Sequence, residues 1–431
     1  MMHKTDRRSF LSASAALSFA ASTPPAPAAP APSQESRVAA DLERYIRFGS
    51  KQAGGRGDIA CGKWLLSELA RLGFAIERQS LSVPYFEAQR SELVCGEARA
   101  AVWPQPIVRQ TRAEGITGRL VRVDSEGRAF AALEGAIALV ELPFGRWSTA
   151  LAKPVITPVR AAFAAGAVAV VAITSGPTGK VIALNADGRK PMFAGPVALI
   201  APEDARGFLD AAHTGANATL FMTGTGGQRP TFNFIGRIDR GKPQWLAVST
   251  PRSGWYGCAG ERGPGVAAWL WLARWASAAI KDYNLAFVCN SGHEYENLGA
   301  LESLKALAPK PEVTKLWLHL GANVAAQDWH DGTGQPLPSV DPQRYLSVSR
   351  SLLPLARTTF AGLVGLEAPY ASDVLSAGEL SEVIAAGYGT VAGVFGTHRF
   401  HHVSGDDARC VTTANVVETA AAFQRFLTQT T

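Results

Sequence analysis

The stretch Leu285 to Ala300 reads LAFVCNSGHEYENLGA, and its first half decides what kind of fold the chain can take. Leu285 to Cys289 is a short, continuous apolar run, the pattern of a strand buried on both faces, and Asn290-Ser291-Gly292 supplies the turn residues that end it. His293 and Glu294 therefore follow a strand end. In parallel α/β sheets, ligands collect beyond the carboxyl ends of strands, so an imidazole and a carboxylate there are placed for chemistry.

Upstream of this stretch, Ser36 to Phe48 carries Val38, Leu42, Tyr45 and Ile46 at helical spacing. Asp58 to Leu72 reads as a second helix ended by Gly73, and Phe74 to Val83 as a strand. From about Ile116 the texture changes to short β-branched runs: Gly118 to Val123, Gly135 to Leu142, Val168 to Thr174 and Pro196 to Ile200. The sequence VRAAFAAGAVAVVAITSG reads as a helix over Val159 to Ala165 feeding a buried strand, because Gly166 interrupts it and Val/Ile alternation follows. Phe232 to Ile238, Trp245 to Ser249 and Leu316 to Leu320 are further strands. A Gly-rich loop from Gly254 to Gly265 opens a helix, and Thr413 to Leu427 forms the last one. The four tryptophans from Trp255 to Trp275 read as core and cleft wall rather than as a cofactor box.

With 431 residues, 47% of them hydrophobic and 18% charged, the chain can bury a large core in two domains or in one with an insertion. Residues 5 to 21 (TDRRSFLSASAALSFAA) place a twin arginine before a mildly apolar run too short to span a bilayer. That pattern predicts a twin-arginine export signal and a periplasmic or extracellular protein with no transmembrane segment in the mature chain. Thr23 to Ser33 (TPPAPAAPAPS) is a stiff linker. Of the formal charge of +6, Lys4, Arg7 and Arg8 less Asp6 contribute +2, leaving about +4, too mild for a nucleic-acid partner. Five cysteines lack zinc-finger or thioredoxin spacing, so no disulfide framework is expected.

The opening stretch resembles the Gly-Glu-Glu-x-Gly-Leu-x-Gly-Ser segment of the zinc exopeptidases that include aminopeptidase S, glutamate carboxypeptidase and the non-catalytic transferrin receptor. Gly292, Glu294 and Gly299 fall in register. The resemblance runs through about 390 residues. It implies an α/β three-layer sandwich with a mixed sheet and an inserted β-rich protease-associated domain. The implied division is a signal and linker over 1–33, exopeptidase-like parts over 34–112 and 229–431, and the insert over 113–228.

The same resemblance implies a two-zinc site with five protein ligands, and here the positions match unevenly. His293 stands where the family has its general base, and Glu294 where it has a zinc ligand. In VSTPRS, Thr250 takes the place of a ligand His, and Arg252 that of its supporting Asp. In CAGERGPGVA, Glu261 takes the place of the bridging Asp, beside Arg262. Gly321 in WLHLGAN stands where an Asp ligand belongs, and His319 two residues earlier is a candidate substitute. His402 matches the last ligand, with Asp406 as its supporting group and His401 as an alternative by one residue. Thr250 and Gly321 are lost-ligand positions, so at most one zinc ion is expected. The expected function is a peptide-binding or scaffold role, holding a peptide or small molecule in the cleft. The alternative is a metallo-aminopeptidase or other metallohydrolase with a rebuilt mononuclear site and His293 as acid-base group.

Overall fold

The computed structural model describes residues 33–431, so the twin-arginine stretch and all of the Pro/Ala tract but Ser33 lie outside the described residues. Four strands, Val391–Gly396, Thr314–Leu320, Trp245–Pro251 and Asn284–Asn290, lie side by side in that order and run parallel. Their residues are almost wholly buried, which is why they read as apolar runs rather than as alternations. Arg344–Val348 adds antiparallel at one edge, and the long strand Asn217–Ile238 adds antiparallel at the other. The result is a mixed sheet.

One face of this sheet is covered by helices Gln34–Arg47, Arg56–Arg71, Ala259–Ala279 and Thr413–Thr430, the other by Leu298–Ala306 and Glu379–Ala385. Helix Ala259–Ala279 is buried on nearly every side along its first four turns, so it shows no polar stripe. Trp269 is its anchor: its ring packs edge-on to Phe234 and Phe287, and its indole N–H donates to the Val248 carbonyl at 3.1 Å. The expected helices and strands of this region form, but Phe232 to Ile238 is the end of the longer strand Asn217–Ile238, and the Gly-rich stretch expected to be a loop as far as Gly265 is already helical from Ala259.

The strand expected from Phe74 runs from Ala75 to Cys95 and pairs antiparallel with Asn217–Ile238 over most of its length, broken by a bulge at Ala88/Arg90. These two strands carry the sheet into the middle of the chain. There Ile116–Val123, Ile137–Glu141, Ala169–Ile173 and Val197–Ile200 form a smaller parallel array. Helix Lys153–Ala164 packs on one face of it and Pro202–Thr214 on the other. Among the described residues no helix is long and apolar enough to cross a membrane.

Candidate active site

The parallel strands end on one side of the sheet, and their exits bring together Thr250, His293, Gly321 and the loop His398 to Asp406. Of these, His293, Gly321, His401 and His402 border a cleft of about 610 Å³. His293, His319, His401 and His402 line it with Glu296 and Asn297, and the smaller array contributes Ser148, Thr149 and Asn185.

The loop carrying the last two histidines is clamped from the smaller array. The Ala183 N–H donates to the His402 carbonyl at 2.9 Å, and His402 Nδ1–H donates back to the Ala183 carbonyl at 2.9 Å. A carbonyl can only accept, so His402 carries its proton on Nδ1 and turns Nε2 toward Glu261 Oε1, 3.3 Å away. His402 has φ 59°, a strained conformation for a residue with a side chain, which this clamp stabilises. Its ring stacks on His401 at 3.9 Å, and His401 Nε2 lies 2.7 Å from Ser148 Oγ. Burial and the neighbouring His402 push the His401 imidazole well down, so it is neutral.

Glu261 enters from the first turn of helix Ala259–Ala279, whose N–H groups at Gly260 and Glu261 are capped by Asp406 at 2.6 and 3.0 Å. Asp406 therefore orients the Glu261 backbone. Burial alone would raise the Glu261 pKa, but the charge of Arg262, followed by the contact with His402, outweighs it and holds the carboxyl well below its usual range. Arg262 Nη2 lies 2.7 Å from Glu261 Oε1.

The other candidates have different partners. Glu294 Oε1 accepts from the Ala53 N–H at 2.6 Å and Oε2 from the Ser253 hydroxyl at 2.7 Å. Burial, only partly offset by these bonds, pushes its pKa up to about 7. His319 is held by Ser249, whose Oγ accepts the Trp317 indole N–H at 2.8 Å and lies 2.9 Å from His319 Nδ1. The hydroxyl proton is then left for Nδ1, which puts the ring proton on Nε2 and offers the cleft a donor rather than a lone pair. Burial lowers the His319 pKa to about 4. His293 Nδ1 faces Glu379 Oε1 at 3.4 Å, which leaves Nε2 as the basic nitrogen, and burial followed by the charge of Arg262 lowers its pKa. The Thr250 hydroxyl donates to the Leu320 carbonyl at 2.8 Å. At Gly321 a Cβ would stand 2.7 Å from the Val394 carbonyl and 3.1 Å from His319 Nε2, so no side chain fits there.

Glu261, His401 and His402 are thus brought together, with one donor atom from each lying within 4.8 Å of the others. Both Glu261 carboxylate oxygens and His401 Nδ1 are buried without a hydrogen-bond partner, and one carboxylate with two imidazoles is a donor set zinc accepts. These residues fit a metal ion, in competition with the Arg262 guanidinium; His398, Asp406 and Cys410 form a second buried group of possible ligands. Sequence reasoning passed over Glu379, whose place on a surface-like acidic helix gives no signal of burial, and Asp58, which reads as an ordinary first-turn acid.

No model of a protein family matches the chain, and no curated protein matches it. Solved structures do. A zinc aminopeptidase from Bacillus subtilis, BSAP, superposes with TM-score 0.72 at 16% identity over 92% of this chain and 95% of that one. A peptidase M28 precursor from Shewanella amazonensis gives 0.69 at 15% identity over 90% and 91%. An aminopeptidase from Aneurinibacillus sp. strain AM-1 gives 0.64 at 16% identity over 92% and 93%. From helix Gln34–Arg47 to the last helix, the chain has the fold of the zinc aminopeptidases.

Proposed function

We propose that this is an exported protein that binds a peptide or small molecule in the histidine-lined cleft, without the two-metal hydrolysis of zinc aminopeptidases. The observation that carries this reading is the Arg262 guanidinium, 2.7 Å from the Glu261 carboxylate that would have to bridge two ions. With a hydroxyl committed to a carbonyl at Thr250 and no room for a side chain at Gly321, two of five ligands are missing. In this reading residues 34–112 and 229–431 form the exopeptidase-like part, and 113–228 a protease-associated-like insert that walls the cleft through Ser148, Thr149 and Asn185.

A second reading, a mononuclear metallohydrolase, is favoured by the grouping of Glu261, His401 and His402. One zinc held there would supply Lewis-acid polarisation of a substrate carbonyl. His293 would move the proton at Nε2 while Glu379 keeps Nδ1 protonated, and His319 Nε2–H would donate to a substrate oxygen. Turnover of unblocked amino-acid anilides decides between the readings. Binding without hydrolysis is expected, and robust hydrolysis abolished by a chelator would favour the second reading.

A further inference from the structure

The segment Gly-Glu-Glu-x-Gly-Leu-x-Gly-Ser, which Gly292 to Ala300 resembles, has glycine at its fifth place, and the register of Gly292, Glu294 and Gly299 puts Glu296 there. The backbone keeps a glycine-like shape: Glu296 has φ 50°, in the left-handed region that a side chain makes costly. What the glutamate adds, against a glycine, is a carboxylate on the cleft wall.

Among the described residues that line the cleft, Glu296 is the only Asp, Glu, Lys or Arg. Its Oε1 accepts the Thr149 hydroxyl, while Oε2 has no partner among the described residues and is not closed off from solvent. The fold supplies little counter-charge. Burial raises the Glu296 pKa, the Thr149 hydroxyl lowers it, and the carboxylates of Asp187 and Glu382 raise it again, with the lowering by His402 coming last. Of the four lining histidines, His293, His319 and His401 have their pKa values lowered, by burial first in each case, and His402 turns Nε2 to Glu261. Arg262 is itself paired with Glu261. Elsewhere the cleft is apolar: the rings of Tyr345 and Phe395, with centroids 6.1 Å apart, line it with Leu375 and Ala377.

An accessible carboxylate without a partner favours a cation, because a charge-assisted hydrogen bond is stronger than a neutral one and a second anion is repelled. With Oε1 already engaged, the one free oxygen suits a single N–H donor of an ammonium, whereas the guanidinium fork needs two. Given that the cleft is a binding site, as read above, we propose that Glu296 makes it selective for an organic ammonium ion with an apolar body. The nitrogen donates to Glu296 Oε2, and the body lies against the wall of Tyr345 and Phe395.

Phenethylamine, phenethyl alcohol, hydrocinnamate and phenethylguanidine serve as probes, titrated by calorimetry into the native full-length chain. Phenethylamine is expected to bind saturably and about tenfold or more tighter than the alcohol, which has its shape without the charge. Hydrocinnamate should not bind, and the guanidine should bind no more tightly than the amine. Glu296→Gln keeps the size and an oxygen for Thr149 but removes the charge, so amine and alcohol should then bind equally. Glu296→Gly, the residue best suited to φ 50°, should lose the preference as well. Absence of saturable amine binding to the native chain would overturn the proposal, as would a preference that survives Glu296→Gln, and a tighter guanidine would overturn the ammonium class. Equal binding of amine and alcohol by the native chain would remove the selectivity and leave the cleft a binding site. Turnover of the amino-acid anilides would instead overturn the reading of the cleft as non-hydrolytic and leave the amine preference standing.

Discussion

Two buried arginine–carboxylate pairs, Arg252 with Asp58 and Arg262 with Glu261, are built to different standards. Asp58 Oδ2 accepts from the Gly54 N–H, the Thr231 hydroxyl and the Ser291 hydroxyl at 2.6 to 2.8 Å, and Oδ1 lies 2.9 Å from Arg252. Arg252 also donates to the Phe232 carbonyl at 2.6 Å and lies over the Phe232 ring. Glu261 has no hydrogen-bond donor on either oxygen, and neither Nη of Arg262 has an acceptor by hydrogen-bond geometry. Arg262 is fixed mainly by Nε donating to the Ser253 carbonyl at 3.2 Å. The Arg252 pair leaves one atom of each partner, Asp58 Oδ1 and Arg252 Nη1, without a hydrogen-bond partner, and the Arg262 pair leaves two of each; the greater unspent polar capacity beside a cleft marks the place where a ligand or ion can be accommodated.

The largest expected effect separates the two pairs by stability. Arg252→Leu strands Asp58 in the core and should lower the unfolding free energy by about 3–5 kcal/mol in denaturant titration. Arg262→Met should cost clearly less, because that pair has fewer hydrogen bonds to lose. Equal losses would erase the distinction between a structural and a functional pair.

Next in size is a pH effect at Glu294, which Ser253 joins to Arg262 through its hydroxyl and carbonyl respectively. The folded-state pKa is about 7 against an ordinary 4.5, so between these values the native state holds a proton that the unfolded chain has released. Its stabilising contribution is complete below pH 4.5 and is lost as pH rises through 7, by at most about 3 kcal/mol. Glu294→Gln should therefore flatten the difference in stability between pH 5 and pH 8. A mutant that follows the native pH profile would show that Glu294 is already ionised in the fold.

The smallest effect concerns the His319 tautomer. Ser249→Ala removes the partner of both Trp317 Nε1 and His319 Nδ1 and should cost about 1–2 kcal/mol in unfolding. It should also shift the imidazole nitrogen resonances of His319 away from an Nε2–H pattern. Unchanged resonances would mean that Ser249 does not set the tautomer.

Much of the fold is legible in the sequence because buried parallel strands and amphipathic helices leave local patterns. LAFVC and WLAVS carry their own burial, and the helical spacing of Val38, Leu42 and Tyr45 gives the first helix its core face. The long strand Ala75–Cys95 is legible only as far as Val83, since beyond it the exposed run Glu87 to Arg90 and the bulge at Ala88/Arg90 interrupt the core face. The site divides similarly. Glu261 and His402 can be found by register, and His401 by adjacency. The directions taken by Glu294 and His319 cannot, because they depend on Ala53, Ser253 and Ser249, partners that only the folded chain brings within reach. Nor does sequence tell a lost ligand from a closed position, which at Gly321 is decided by the Val394 carbonyl.

The central claim, that Arg262 stands where the second ion of a two-zinc site would need room, is tested most directly by calorimetric titration of zinc into metal-free native protein and into Arg262→Met. The account predicts at most one ion per native chain, and an affinity about tenfold or more higher at a single site once the guanidinium is gone. Two ions bound per native chain would contradict it.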